Sequence, residues 1–167
     1  GAGAARAALE RAAADEDGNW SVVLSTPEAG GPFTLTIAGD TSVVLRDVLV
    51  GEVWIASGQS NMEWPIAWSA DPAETAAGAT DGQIRFFQVQ NEIALHERID
   101  LSGTWVACSP ETAPKLSAVA YHFARELRRE LGVPVGIVQS DWGGTRVEAW
   151  MSERSLKPFA HVSSELD

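Results

Sequence analysis

The stretch from Leu116 to Val138 constrains the fold more than any other part of the chain. Val119, Phe123, Leu127 and Leu131 recur every four residues, and Arg125, Glu126, Arg128, Arg129 and Glu130 take the positions between them. That is the period of an amphipathic helix with one face toward a core. Gly132 can adopt the left-handed conformation that closes a helix, and Pro134 prevents its continuation. Val135 to Val138 then reads as a strand. A helix feeding directly into a buried strand is half of a strand–helix–strand unit. Such units build parallel sheets covered by helices.

Other segments repeat the pattern. Val50 to Ala56 is apolar almost throughout, as expected of a strand buried on both faces, and Ile84 to Val89 reads the same way. Between them, Asp71-Pro72-Ala73-Glu74 looks like a helix start, with Asp71 as cap, Pro72 in the first turn and Glu74 three residues after the cap. Val147 to Met151 is expected to begin a further helix. His122 falls inside the 116–131 helix and reads as a structural, partly buried residue.

The first third differs. Residues 1–14 are rich in Ala and read as a short helix or frayed terminal segment. Asp15-Glu16-Asp17-Gly18-Asn19 is a turn signal. Trp20 to Leu24, Phe33 to Ile37 and Ser42 to Leu49 read as strands, separated by the loop Pro27 to Pro32 and the turn at Gly39-Asp40. The chain thus divides into a terminal segment (1–14), a small antiparallel β module (15–49) and an α/β region (50–167).

Composition narrows the partners. The net charge is −11 with a pI near 4.6, which repels a phosphate backbone and disfavours anionic membrane surfaces. Neither nucleic acid nor membrane is expected as a partner, and no apolar run is long enough to span a bilayer. Cys108 is the only cysteine, so no internal disulfide can form. No His, Cys, Asp or Glu cluster has metal-ligand spacing, so no metal or cofactor is expected.

In parallel sheets, functional residues collect at the carboxyl ends of strands. Two strand ends carry unusual residues here: Ser57 to Met62 and Ser140 to Thr145. Ser60 follows Gly58-Gln59, where a glycine permits a tight turn and exposes the hydroxyl. A serine nucleophile needs that exposure, a base, and donors for the developing oxyanion. A helix starting near Asn61 would point N–H groups at the same place. The plainer alternative is that Ser60 caps a helix. Gly143-Gly144 lets backbone N–H groups approach a ligand, or makes only a tight turn. Trp64, Trp68 and Trp142 flank the two loops, where aromatic faces could pack on sugar rings, and of the three only Trp64 and Trp142 are given a site role. His96, His122 and His161 each lack an obvious orienting Asp, so the base is not evident.

The run Val50-Gly51-Glu52-Val53-Trp54-Ile55-Ala56-Ser57-Gly58-Gln59-Ser60-Asn61-Met62-Glu63-Trp64 resembles the nucleophile block of the sialate O-acetylesterase family, a branch of the SGNH (GDSL-like) hydrolases. Ser117 to Tyr121, Phe123 to Leu127, Val133 to Gly136, Trp142-Gly143-Gly144-Thr145 and Glu148-Ala149-Trp150 are also similar to that family, as is the strand-rich lead-in from Trp20 to Leu49. The resemblance implies a flavodoxin-like three-layer α/β/α hydrolase domain preceded by a small antiparallel β module. It implies hydrolysis of acetyl esters on sugars through an acyl-enzyme on Ser60. By the same resemblance, the N–H groups of Ser60 and of Gly143 or Gly144 form the oxyanion hole, with Gln59 beside the nucleophile. Asn61, Trp64 and Trp142 become candidate substrate contacts. An extracellular or periplasmic location follows the habit of the family.

Asp141 and Arg146 stand where a small or hydroxyl residue and a Pro are more usual. The family's block with an Asn or Glu, and its D-x-x-H block carrying the base, do not occur in this sequence. The chain therefore reads as an amino-terminal part of such a hydrolase, needing the carboxyl-terminal half to complete its sheet and cover its apolar surface. On its own it is expected to show little or no esterase activity. Two other readings stand beside this one: a non-catalytic carbohydrate-binding module with a degenerate hydrolase segment, and an interaction scaffold in which Ser60 is a helix cap.

Overall fold

The computed structural model describes residues 9–94 and 96–159. Residues 1–8 of the Ala-rich segment and His161 lie outside them. The described chain falls into two compact units that divide after Gly51.

The first unit is built on a hairpin. Strand β1 (Gly30–Ala38) pairs antiparallel with β2 (Ser42–Val50), with Leu35 opposite Leu45 and Ala38 opposite Ser42. The tight connection is closed by the Gly39 N–H, which donates to the Thr41 carbonyl at 2.8 Å. The turn expected at residues 15–19 forms: Asp15 Oδ1 accepts from the N–H groups of Asp17 and Asn19 at 3.0 and 2.8 Å. The strand expected from Trp20 to Leu24 does not form. Those residues are exposed and join no ladder, and a single strand has no hydrogen-bond partners of its own to hold it extended.

The second unit is an α/β arrangement with a mixed sheet and few helices. Its strands are β3 (Glu52–Gly58), β4 (Ile84–Val89), β5 (Gly103–Ala107) and β6 (Val135–Asp141), in the order β3-β6-β4-β5. β6 runs parallel to both β3 and β4, and β5 lies antiparallel on the outside of β4. Strand β5 carries no strong sequence signal, since it is five residues long and begins with Gly.

The one long helix is α3 (Ala118–Leu131). Ser117 caps it by accepting from the Ala120 N–H at 3.2 Å, a contact that stabilises a helix by about 1 kcal/mol. Gly132 ends it in the left-handed conformation at φ 68°, as its glycine foretold. The face that α3 buries is not the one its four-residue spacing suggests. Ala118, Ala120, Tyr121 and Ala124 are buried, whereas Val119, Phe123 and Leu131 are exposed. Three alanines give the helix a smooth surface that can lie close to the sheet, and only Leu127 of the expected stripe packs on the core. His122 is accordingly exposed, against the expectation of partial burial.

Strand β6 lies between two neighbours, and its residues 135, 137, 139 and 141 are all buried. Among the described residues, strand β3 has only β6 beside it. Val53 is 64% exposed and Ile55 75%, so β3 is an edge strand and not one buried on both faces.

The remaining helices are short: α1 (Ser60–Glu63), α2 (Pro72–Ala77) and α4 (Glu153–Leu156). Pro72 opens α2 as expected, but Asp71 sits in the left-handed region and its side chain makes no capping bond. Residues 147–150 form a single 3-10 turn. Among the described residues, no helix is long and apolar enough to cross a membrane.

Candidate active site

Parallel pairing of β3 and β6 brings both unusual strand ends to one place. Their register sets Gly58 opposite Asp141, so the segments after them leave the sheet side by side. The ladder continues one step, with the Trp142 N–H donating to the Gly58 carbonyl at 3.0 Å. Gly58, at φ 151°, turns the chain in a conformation that L-residues rarely adopt, and Gln59 leads into α1.

Ser60 is the first residue of α1 and is exposed. Gln59 occupies the cap position and no side chain caps this helix, so Ser60 is not a cap. Its hydroxyl donates to Gln59 Oε1 across 3.5 Å, a contact at the edge of hydrogen-bond range. Neither His96 nor His122 bonds to it. The ring of His122 sits 5.4 Å from that of Tyr121, and desolvation followed by the charge of Arg125 lowers its pKa.

The base of the site is anchored to the start of α3. The Ala118 N–H donates to the Trp64 carbonyl at 2.9 Å, and the Ile66 N–H to the Leu116 carbonyl at 2.9 Å. The buried Ser117 N–H donates to Gln139 Oε1 at 3.2 Å, and its hydroxyl reaches Met62 Sδ at 3.5 Å. Met62 packs on the core, so the turn carrying Ser60 is fixed from below.

The loop after β6 is held more tightly. The Gly143 N–H donates to Glu63 Oε2 at 2.8 Å. Thr145 Oγ1 donates to the Trp142 carbonyl at 2.7 Å and accepts from Trp150 Nε1 at 2.8 Å. A Cβ added to Gly143 would lie 3.7 Å from the Ser60 Cα and only 2.2 Å from Glu63 Oε2, so a side chain here would have to displace the Glu63 carboxylate. Gly144, at φ 80°, is exposed, and its N–H has no acceptor among the described residues. Of the two glycines singled out from the sequence, Gly143 thus has its N–H occupied and Gly144 has its N–H open.

Asp141, at the end of β6, is 8% exposed, and its Oδ2 has no hydrogen-bond partner among the described residues. Burial raises its pKa, a hydrogen bond from Gln139 opposes the rise, and the charge of Glu63 adds to it. Around the site, Trp64 is 47% exposed and Trp68 68%, with ring centroids 5.5 Å apart in an edge-to-face pair. The Trp64 indole N–H is fixed on the Trp68 carbonyl at 2.9 Å. Asn61 is exposed and Trp142 half-buried.

Sequence reasoning missed the contact of Glu63 with the glycine loop, and it named Trp68 beside the loops without giving it a site role. Glu63 stands three residues after Ser60 on the same short helix, a spacing that puts two side chains on one side, and that was the available signal.

No protein-family model matches the chain. Sialate O-acetylesterases of rat and human are 39% and 33% identical to it, over 155 and 152 residues. Each match takes in 83% of this chain but only 28% and 29% of the relative, so the chain spans less than a third of their length. The crystal structure of a carbohydrate acetylesterase from Xanthomonas citri superposes with a TM-score of 0.83 at 46% identity, over 87% of this chain and 34% of that one. Over the stretch it matches, the chain is a homologue of the sialate O-acetylesterases and is similar to the carbohydrate acetylesterase of known structure.

Proposed function

We propose that the chain carries the nucleophile of a carbohydrate O-acetylesterase, with Ser60 attacking the acetyl carbonyl of an O-acetylated sugar. The observation that carries this reading is the meeting of two strand ends: an exposed serine that caps nothing, beside a glycine loop with an open N–H. The relatives' names support acetyl esters on sugars as the substrate class.

In this mechanism the Ser60 oxygen bonds to the carbonyl carbon as a base removes its proton. The negative charge that develops on the carbonyl oxygen is held by backbone N–H groups of Ser60 and of the Gly143–Gly144 loop, with Gln59 alongside. Collapse breaks the bond to the sugar oxygen, which leaves with the proton, and the acetyl group stays on Ser60. Water then attacks that ester with the base acting again, releasing acetate. The reading takes the base from outside the described residues, because neither described histidine bonds to Ser60. It assigns Asn61, Trp64 and Trp142 to the sugar. The fixed, exposed Trp64 ring supports that role, since a ring held by its own N–H loses little freedom on stacking. The reading also takes the domain as three-layered α/β/α and its setting as extracellular or periplasmic, in keeping with the family resemblance.

The test is turnover of aryl acetates and acetylated sugars by the protein that carries this chain. Replacing Ser60 by Ala is expected to cut kcat/KM by about a thousandfold or more. Equal turnover by the Ser60→Ala variant would remove the nucleophile assignment. The chain alone is expected to turn over little or no ester. Rates near those of complete esterases would instead point to a base within it, with His161 the first to replace.

A further inference from the structure

We propose that Glu63 is a positioning residue of this site: its carboxylate, by holding the Gly143 N–H, sets the glycine loop beside Ser60 and leaves the Gly144 N–H as the loop's oxyanion donor. The inference rests on the reading of Ser60 as nucleophile.

Three observations lead to it. The contact is direct, 2.8 Å from the Gly143 nitrogen to Glu63 Oε2, and it joins the two strand-end segments across 80 positions of sequence. It sits at the nucleophile, since the Cβ position of Gly143 is 3.7 Å from the Ser60 Cα. It also consumes one of only two N–H groups that the glycine pair offers, and the other, on Gly144, has no acceptor among the described residues. One donor is thereby spent on orienting the second. The remaining ties of the loop, at Trp142 and Thr145, fix its two ends, whereas Glu63 fixes the peptide next to the reacting hydroxyl.

The charge on Glu63 separates this role from others. A carboxylate near a developing oxyanion opposes it, so positioning must be what Glu63 contributes. Gln at this position keeps an oxygen acceptor and removes the charge, whereas Ala removes the acceptor. A general base would behave in the opposite way, because Gln cannot take up a proton.

The experiment compares Glu63→Gln and Glu63→Ala in the protein that carries this chain, with Glu63→Asp as a second shortened arm should the Ala variant fold poorly. Aryl acetate kinetics and amide hydrogen exchange at Gly143 are read together. Glu63→Ala, or Glu63→Asp, is expected to lower kcat by about tenfold to a hundredfold with KM changed less, and to speed exchange at Gly143. Glu63→Gln is expected to keep kcat at or above the parent value and to leave that exchange slow. Loss of activity in Glu63→Gln equal to that in Glu63→Ala would overturn the proposal, as would an unchanged kcat in Glu63→Ala. The Ser60→Ala variant serves as the separate control. If it turns over ester normally, the nucleophile assignment has failed, whereas the Gly143 exchange still reports the Glu63 contact by itself.

Discussion

Strands β3 and β6 lie side by side, run the same way and end at the same level, yet they are held very differently. β6 is flanked on both edges, buries every second residue, and ends in a loop tied by Glu63, Thr145 and Trp150. Among the described residues β3 is an edge strand with exposed apolar side chains, and the hydroxyl of Ser60 just after it has only the 3.5 Å contact to Gln59. The difference matches what an ester-cleaving site asks of its two halves. Donors for a developing charge act best when already fixed, because nothing then reorganises during reaction. A nucleophile has to stay accessible and loosely bonded until a base engages it.

The sharpest way to break this contrast is to truncate one isoleucine in each strand. Ile137 of β6 is fully buried, and Ile137→Ala is expected to cost about 2–5 kcal/mol of stability. Ile55 of β3 is largely exposed, and Ile55→Ala is expected to stay within about 0.5 kcal/mol. Urea unfolding midpoints for both variants check the pair. Equal costs would mean that the edge character of β3 is wrong.

A smaller effect is expected from Gly143→Ala. Its backbone is not in the left-handed region, so the strain is steric: the new methyl displaces the Glu63 carboxylate. A surface carboxylate can swing aside, so stability is expected to fall by only about 1 kcal/mol, while kcat falls by about tenfold because the loop loses its tie. Steady-state kinetics beside a thermal melt would separate the two losses.

Thr145→Val removes one donor and one acceptor bond at nearly constant shape. It is expected to cost about 1 kcal/mol or less and to lower kcat by less than Gly143→Ala does, because it loosens the loop away from Ser60.

The mildest effect concerns Asp141. Its folded pKa lies above its unfolded value, chiefly because burial disfavours the charge. Such a group favours folding fully below the unfolded pKa, and that contribution is lost as pH rises through the folded one. The Asp141→Asn variant is therefore expected to gain stability relative to the parent as pH rises above about 4, and to lose that advantage in acid. Chemical denaturation at a series of pH values shows the trend, and a difference that grows toward low pH would reverse the sign.

Much of the fold was legible. The hairpin β1–β2, strands β4 and β6, and helix α3 with its Gly132 end all follow local patterns that a short window contains, whereas the Ser117 cap lies inside the span read as helix from Leu116. The misreadings share one cause, which is that burial is set by neighbours and not by composition. An apolar run marks β3 as a strand but cannot say that it lies at an edge. The four-residue spacing of Val119, Phe123 and Leu131 marks α3 as a helix, but close packing on the sheet selected the alanine face instead. Trp20 to Leu24 has the composition of a strand and no partner to pair with. In the site, Ser60 and the Gly143–Gly144 pair stood out because glycine and serine after a buried run are locally unusual. Glu63 did not, because its meaning depends on an amide 80 positions away.

Whether Ser60 is the nucleophile is tested most directly by treating the protein that carries this chain with a fluorophosphonate and mapping the adduct by mass spectrometry. A single covalent adduct on Ser60, lost in the Ser60→Ala variant, is the result expected. An adduct on another residue, or labelling that persists at full level with Ala at 60, would contradict the assignment.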